Sequence, residues 1–160
     1  MSARIDFTKA SPEVTKGLLE LERYLRTCGL EESLLHLVKM RASQINGCAY
    51  CLDMHSKDAR AAGETEQRLY VLNAWHEAPF YTDRERAALA WTESLTRIAD
   101  THAPDEVFQE VREHFDEKEL ADLTLAIVTI NAWNRIAIGF RMPAGDYQPV
   151  KRREMAGAGH

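Results

Sequence analysis

The chain has little that would direct it to nucleic acid. Its 160 residues carry 20 Lys and Arg against 25 Asp and Glu, which gives a net charge of −5. No basic stripe runs along a predicted helix, so neither nucleic acid nor an anionic membrane surface is an expected partner. The one basic cluster is Lys151, Arg152 and Arg153, close to the C-terminus. We expect this cluster to belong to a solvated tail.

Long apolar runs are also missing. The first residues, MSARIDFTKASPE, contain no apolar stretch of the kind that a signal peptide needs. The most apolar segment, LTLAIVTINAWN at 123–134, is shorter and more polar than the roughly 20 apolar residues that span a bilayer. We therefore expect a cytoplasmic protein that does not interact with membranes.

Cysteine is scarce, with three residues in the whole chain. This number is too small for a disulfide framework, and in a reducing compartment a CxxC pair is more often catalytic or metal-binding. Cys28 stands alone near a predicted helix end, where we expect a small buried apolar side chain. Cys48 and Cys51 form the CxxC pair. Whether this pair binds a metal, forms a structural disulfide or carries out thiol chemistry decides the function of the protein.

The alternating pattern of β-strands is absent, and helical spacing replaces it almost throughout. Pro and Gly positions and two capping boxes, at Thr82 and Asp116, mark the helix ends. We predict an all-α fold with a single helical domain over residues 1–142, about six to seven helices, and an irregular tail over 143–160. The predicted helices run from about 12 to 29, 31 to 46, 48 to 62, 65 to 76, 82 to 99, 104 to 115 and 116 to 140.

The stretch INGCAYCLDMH places Cys48, Cys51 and His55 at offsets of three and four residues. This spacing stacks the three side chains on one face of a helix. The helix N-terminus should stabilise a thiolate on Cys48, which we also expect to be the more exposed cysteine. A disulfide across one turn closes a very small loop and adds little stability, so it would serve as a reversible redox state.

His55 lies one helical turn after Cys51 and could act on that thiol as a general base, directly or through one water. A thiolate with a partner thiol and a base can reduce peroxide, through a sulfenic acid and then a disulfide. A zinc site at Cys48, Cys51 and His55 is an alternative, although the sequence offers no fourth ligand nearby. A pair with no chemical role is the remaining interpretation.

Three segments resemble the AhpD-like alkylhydroperoxidases of the carboxymuconolactone decarboxylase superfamily. They are RASQINGCAYCLDMHSKDAR (41–60), RERAALAWTESLT (84–96) and INAWNRIAIGFR (130–141). The resemblance implies an AhpD-like helical domain, a homo-oligomer and a CxxC peroxidase with Cys51 peroxidatic and Cys48 resolving. No metal or cofactor is implied. A thiol reductant must restore the pair, and a lipoyl protein, a thioredoxin or a small thiol would each be compatible.

The family motif places a glutamate twelve residues before the first cysteine, and this chain has His36 there. A neutral His36 could fix the tautomer of His55 but could not supply the compensating negative charge. A protonated His36 would lower the pKa of His55. Glu32, four residues earlier on the same helical face, could support His36, or an acid from elsewhere could take the role.

Several neighbours of the motif have expected roles. Tyr50, between the two cysteines, could donate to a peroxide oxygen or be an interface aromatic. Trp133 and Asn134 are candidates for a pocket wall. Arg135, inside an apolar helix, must find a partner if it is buried, and we expect a salt bridge with a carboxylate of another helix or of another subunit. Capping of the turn before the motif is the expected role of three polar residues, namely Ser43, Gln44 and Asn46.

Two other functions stay open at this point. The superfamily also contains decarboxylases that act on lactone acids and do not depend on a CxxC pair. The chain could also be a non-enzymatic redox sensor or metal-binding module. The presence of both cysteines favours the peroxidase over the decarboxylase.

Overall fold

The computed structural model describes residues 2–149. Helices account for all of the regular structure in this range, which confirms the all-α prediction. The helices are α1 (Phe7–Ala10), α2 (Pro12–Leu25), α3 (Glu32–Asn46), α4 (Ala49–Ala61), α5 (Glu66–Tyr70), α6 (Asp83–Thr96), α7 (Ile98–Thr101), α8 (Asp105–His114) and α9 (Glu117–Phe140), with a 3₁₀ turn at Leu72–Ala74 after α5. The number of helices within residues 2–149 exceeds the predicted six to seven because α1, α5 and α7 have only four or five residues each.

Both predicted capping boxes form, and they fix the starts of α6 and α9. Thr82 accepts from the N–H of Glu85, and Asp116 accepts from the N–H of Glu119, with the reciprocal bonds also present. The single helix predicted over 65–76 is wrong, because the chain there divides into α5 and the 3₁₀ turn. This division brings side chains from both parts into one buried cluster, which contains Leu69, Leu72, Trp75 and Tyr81.

The core forms on two sides of α3. On one side, Leu34 and Val38 belong to a buried cluster with Leu123 and Ile127 of α9. On the other side, α3 contributes Leu37 and Met40 to the cluster that contains α5, the 3₁₀ turn and part of α6. Helix α3 thus lies between α6 and α9, and its C-terminal end leads directly into the CxxC motif.

Helix α9 is long and apolar enough to cross a bilayer by length and composition, with a mean hydropathy of 1.3 in its most apolar window. The segment 123–134, taken from the sequence as the most apolar one, is only part of this helix and is too short to cross a bilayer. The helix packs against α2, α3, α4, α6 and α8, and Leu123, Ile127 and Ile130 are at most 1% exposed. This packing is that of the central helix of a bundle.

Residues 143–149, at the start of the predicted tail, form neither helix nor strand. The basic cluster at Lys151, Arg152 and Arg153 lies outside the described residues.

Candidate active site

The turn between α3 and α4 positions the two cysteines. Gly47 ends α3 with a φ of 67°, a left-handed conformation that favours glycine. Cys48 follows with extended backbone and is itself the N-cap of α4, rather than a residue of its first turn as predicted. The sulfur of Cys48 therefore faces the free N–H groups at the start of the helix.

The two thiols differ in acidity because of this cap. Sγ of Cys48 accepts a 3.3 Å hydrogen bond from the backbone N–H of Cys51. The Cys51 side chain, together with the N–H groups of Cys51 and Tyr50, lowers the pKa of Cys48 to about 7. The Cys48 side chain and burial raise the pKa of Cys51. Within the pair, the negative charge thus belongs on Cys48 and the proton on Cys51.

Both cysteines are buried, each with 1% of its surface exposed. The expectation that Cys48 is the more exposed is therefore wrong. Cys48 is covered because the turn at Gly47 places it in a cluster with Ile130 and Ala137 of α9. Cys51, by contrast, borders an open cleft.

A network of side-chain amides fixes the turn before Cys48. Nδ2 of Asn46 donates to Oδ1 of Asn131 and to Oδ1 of Asn134, at 2.9 and 2.8 Å. Asn134 in turn donates to Oγ of Ser43 at 3.1 Å. The side chains of Ser43 and Asn46 thus join α3 to α9, instead of capping the turn as predicted. Asn134 also contributes to the lowered pKa of Cys48.

The cleft has a volume of about 810 Å³ and lies between α2, α3, α4, α9 and the C-terminal segment. Most of its wall is apolar, with Leu19, Leu25, Leu30, Leu35, Met54, Trp133, Ala137, Met142 and Pro149 among the lining residues. Cys51 shares this wall with His36, His55 and Tyr50. The cleft can therefore receive an apolar molecule and bring it to a thiol and two imidazoles.

His55 is a buried and neutral imidazole. It is 5% exposed, and its Nε2 has no hydrogen-bond partner among residues 2–149. Burial, and then the charges of Lys39 and His36, lower the pKa of His55 to about 3. Because Nε2 is unpartnered, this nitrogen does not bond directly to the sulfur of Cys51.

His36 lies beside the same cleft, on α3. Its Nε2 is 3.8 Å from Oε1 of Glu32, within ion-pair range but beyond a hydrogen bond. Burial lowers the pKa of His36, and the charge of Glu32 opposes this effect. The structure thus brings Cys51, His55 and His36 to one cleft with Cys48 behind them, while the role of each residue stays a prediction.

The other predicted site neighbours have different outcomes. Trp133 borders the cleft, and Cys28 is buried, with 8% exposure. Arg135 does not form the predicted salt bridge within the described residues. It lies on the exposed side of α9 and donates to the backbone O and to Oδ1 of Asn131.

No group of three or more His, Cys, Asp or Glu residues within 2–149 could hold a metal ion.

Three residues around the cleft and the motif were not predicted from the sequence. Lys39 pairs with Glu22 of α2 at 2.6 Å and borders the cleft. Asn131 completes the amide network, and the sequence contained a signal for it, since two asparagines in an apolar helix must find partners. Tyr147 also borders the cleft, and it had no local signal because it lies in an irregular segment.

Together, the helical bundle and the site define an all-α protein with a CxxC pair at a helix start beside an apolar cleft. Residues 12–94 match the carboxymuconolactone decarboxylase family, and the chain belongs to this family. The uncharacterised protein YdfG of Bacillus subtilis (strain 168) is 46% identical over 138 residues, which cover 86% of this chain and 94% of YdfG.

Two solved structures have the same architecture. The first is ATU0492 of Agrobacterium tumefaciens, a protein of unknown function provisionally assigned to antioxidant defence as AhpD. It is 47% identical, with a TM-score of 0.88 over 91% of this chain and all of its own. The second is the debrominase Bmp8, which is 19% identical, with a TM-score of 0.76 over 87% of this chain and 75% of its own. The likeness to Bmp8 concerns the fold alone.

Proposed function

We propose that this protein is a thiol peroxidase that reduces hydrogen peroxide or organic hydroperoxides through a Cys48–Cys51 dithiol and disulfide cycle. The observation that carries the proposal is the capped pair, in which Cys48 accepts from the N–H of Cys51 and Cys51 borders the cleft. The likeness to an AhpD-assigned structure supports it.

The first half of the cycle occurs at Cys51. In the resting pair Cys48 holds the negative charge and Cys51 the proton, so Cys51 must lose this proton before it can attack. His55 is neutral and accepts it through a water. The Cys51 thiolate then attacks the terminal oxygen of the hydroperoxide, and the O–O bond breaks. The alkoxide takes the proton back from His55 and leaves as an alcohol, and Cys51 becomes a sulfenic acid.

The second half uses the partner thiol. The thiolate of Cys48 attacks the sulfur of the Cys51 sulfenic acid, and the hydroxide that leaves takes up a proton to become water. The disulfide spans one helical turn, so the fold need not rearrange to form it. A thiol reductant returns two electrons and two protons, and we propose a lipoyl protein, a thioredoxin or a small thiol for this step.

His36 is proposed to act through His55. A neutral imidazole beside His55 can help to hold it in one tautomer. Glu32, 3.8 Å from Nε2 of His36, supplies part of the negative charge that a carboxylate at position 36 would supply. His36 would then be a positioning residue.

Assembly and compartment are proposals as well. Val128 and Ile138 of α9 are 53% and 46% exposed, and Arg135 lies on the same helix. An exposed apolar face of this kind supports a homo-oligomer. A content of only three cysteines, too few for a disulfide framework, supports a reducing compartment such as the cytoplasm.

Mass spectrometry after one equivalent of hydrogen peroxide tests the proposal directly. We expect the loss of two hydrogens in the peptide that contains Cys48 and Cys51, and recovery with a dithiol. The Cys28→Ser variant should behave in the same way, because Cys28 takes no part in the cycle. An unchanged mass would contradict the cycle. Turnover of a lactone acid by a variant without both motif cysteines would instead support a decarboxylase.

Trapping experiments assign the two cysteines. In Cys48→Ser, peroxide should leave a sulfenic acid on Cys51 that dimedone captures, because no resolving thiol remains. In Cys51→Ser, we expect no peroxide-dependent turnover and an intact fold. Dimedone on Cys48 of the second variant, with none on Cys51 of the first, would reverse the assignment.

A further inference from the structure

The segment Pro143–Pro149 is attached to α4 by side-chain hydrogen bonds. Nζ of Lys57 donates to the backbone O of Gly145 and of Tyr147, at 3.1 and 2.9 Å. The N–H of Gly145 donates to Oδ2 of Asp53 at 3.1 Å. The hydroxyl of Tyr147 donates to Oδ1 of Asp58 at 2.7 Å. The attachment thus depends on three residues of one helix.

This helix also carries Cys51 and His55, and the attached segment forms part of the cleft wall beside them. Tyr147 and Pro149 border the cleft, as does Met142 immediately before the segment. Leu19, Glu22 and Leu25 of α2 contribute to the same cleft. Cys51 borders the cleft but is only 1% exposed, so a large molecule must displace part of the wall to reach its sulfur.

We propose that the segment Pro143–Pro149 controls access to Cys51 by size, with Tyr147 and Lys57 as the residues that hold it in place. Its selectivity between hydroperoxides rests on the proposed peroxidase function, whereas its control of thiol access does not. Small molecules such as hydrogen peroxide reach the sulfur with the segment attached. Bulky apolar hydroperoxides reach it when the segment moves away from α4.

The segment is suited to such movement. It has no helix or strand, so no backbone ladder holds it to α4. Local opening therefore costs a small number of hydrogen bonds, far less than global unfolding. Burial and the bond to Asp58 raise the pKa of Tyr147 to about 12, so its hydroxyl remains a donor at neutral pH.

Thiol alkylation measures this access without any need for peroxidase activity. The rates at Cys51 are followed by peptide mass spectrometry with iodoacetamide, which is small, and with a pyrenyl maleimide, which is bulky. The variants are Tyr147→Phe, which removes only the hydroxyl, and Lys57→Met, which keeps the apolar stem. Tyr70→Phe is the matched control, since Tyr70 is 73% exposed and does not border the cleft.

We expect the ratio of maleimide to iodoacetamide rates to rise about fivefold in Tyr147→Phe, the effect of one lost hydrogen bond on a local opening equilibrium. Lys57→Met should raise it further, and Tyr70→Phe should leave it unchanged. An unchanged ratio in both segment variants would overturn the inference. Equal acceleration with both reagents would also overturn it, because α4 itself would then have loosened.

Peroxide kinetics then separate the two proposals. The value of kcat/KM for cumene hydroperoxide should rise in Tyr147→Phe relative to that for hydrogen peroxide. If the wild type turns over neither peroxide, the proposed function fails, while the alkylation ratio still decides whether the segment controls access. If the alkylation ratio rises and the kinetic ratio does not, the selectivity is wrong and the access control stands.

Discussion

The backbone N–H of Cys51 donates to Sγ of Cys48, so a thiol occupies the position that serine, threonine or aspartate usually takes at the start of a helix. One contact thereby caps α4 and favours a thiolate. The same geometry separates the acidities of the two sulfurs, because a negative charge on Cys48 opposes ionisation of Cys51. Helix capping and redox chemistry are thus properties of the same atoms.

The first prediction separates capping from chemistry at Cys48. Serine can accept the same bond from the N–H of Cys51, whereas alanine cannot. We expect Cys48→Ser to unfold at nearly the same denaturant concentration as the wild type, and Cys48→Ala to lose about 1 kcal/mol of unfolding free energy. Both variants should lack the disulfide cycle. Equal stability of the two variants would show that the cap contributes nothing.

The second prediction concerns the charge on Cys48. Its thiolate should form as the pH rises through about 7, which the ultraviolet absorbance of the thiolate would record. In Cys51→Ala the largest cause of the lowered pKa is gone, so the midpoint should move upward, toward the ordinary value of a thiol. An unchanged midpoint would mean that the Cys51 side chain does not lower the pKa of Cys48.

Local signals explain why much of the fold was predictable. The capping boxes at Thr82 and Asp116 involve residues three apart, and the chain break at Gly47 depends on one residue's conformational freedom. The shared helix of Cys51 and His55 follows from their spacing alone. Such features need no knowledge of distant parts of the chain.

The features that were not predicted depend on contacts between distant residues. Cys48 is buried by packing against Ile130, and the hydroxyl of Tyr147 contacts Asp58, which is 89 residues earlier. Neither contact leaves a periodic signal in the sequence. The exposed position of Arg135 likewise depends on how α9 is rotated within the bundle, which the nearly continuous apolar pattern of that helix does not fix.

The third prediction follows from the burial of His55. In the unfolded chain its imidazole takes up a proton below about pH 6.5, while in the folded protein it stays neutral down to about 3. The unfolded state therefore binds more protons in this window, and stability falls as the pH falls. Relative to His55→Gln, the wild type should lose about 1.4 kcal/mol more unfolding free energy per pH unit between pH 6 and 4. Equal slopes of unfolding free energy against pH in the two proteins would show that His55 is charged in the folded state.

The fourth prediction tests whether Glu93 is a catalytic acid that replaces the missing family glutamate. Glu93 accepts from Nε of Arg41 at 2.7 Å and from Nε1 of Trp75 at 2.8 Å, and it does not border the cleft. Its carboxylate forms a mostly buried ion pair with Arg41, which joins α6 to α3. Glu93→Gln should lower the unfolding free energy by about 2 to 3 kcal/mol, because Arg41 loses its counter-charge.

Activity per folded molecule distinguishes the two roles of Glu93. At a temperature where the variant is still folded, kcat/KM for peroxide should match that of the wild type. A large loss of kcat/KM in a fully folded Glu93→Gln would instead identify Glu93 as the acid that serves the site.

The fifth prediction concerns His36, which stands where the family motif has glutamate. If its imidazole positions His55, then His36→Gln should lower kcat/KM for peroxide by about tenfold without a comparable loss of stability. His102→Asn is the matched control, because His102 is exposed and asparagine tolerates its left-handed conformation with a φ of 53°. This control should retain full activity.

His36→Glu supplies the decisive comparison at the same position. A carboxylate there would stabilise the imidazolium of His55, so the pKa of His55 should rise and kcat/KM should equal or exceed that of the wild type. The pKa is measured by NMR of the imidazole protons. Equal activity in the wild type, His36→Gln and His36→Glu would show that position 36 does not serve the site. A rise in the pKa of His55 without any change in kcat/KM would show instead that proton transfer at His55 does not limit turnover.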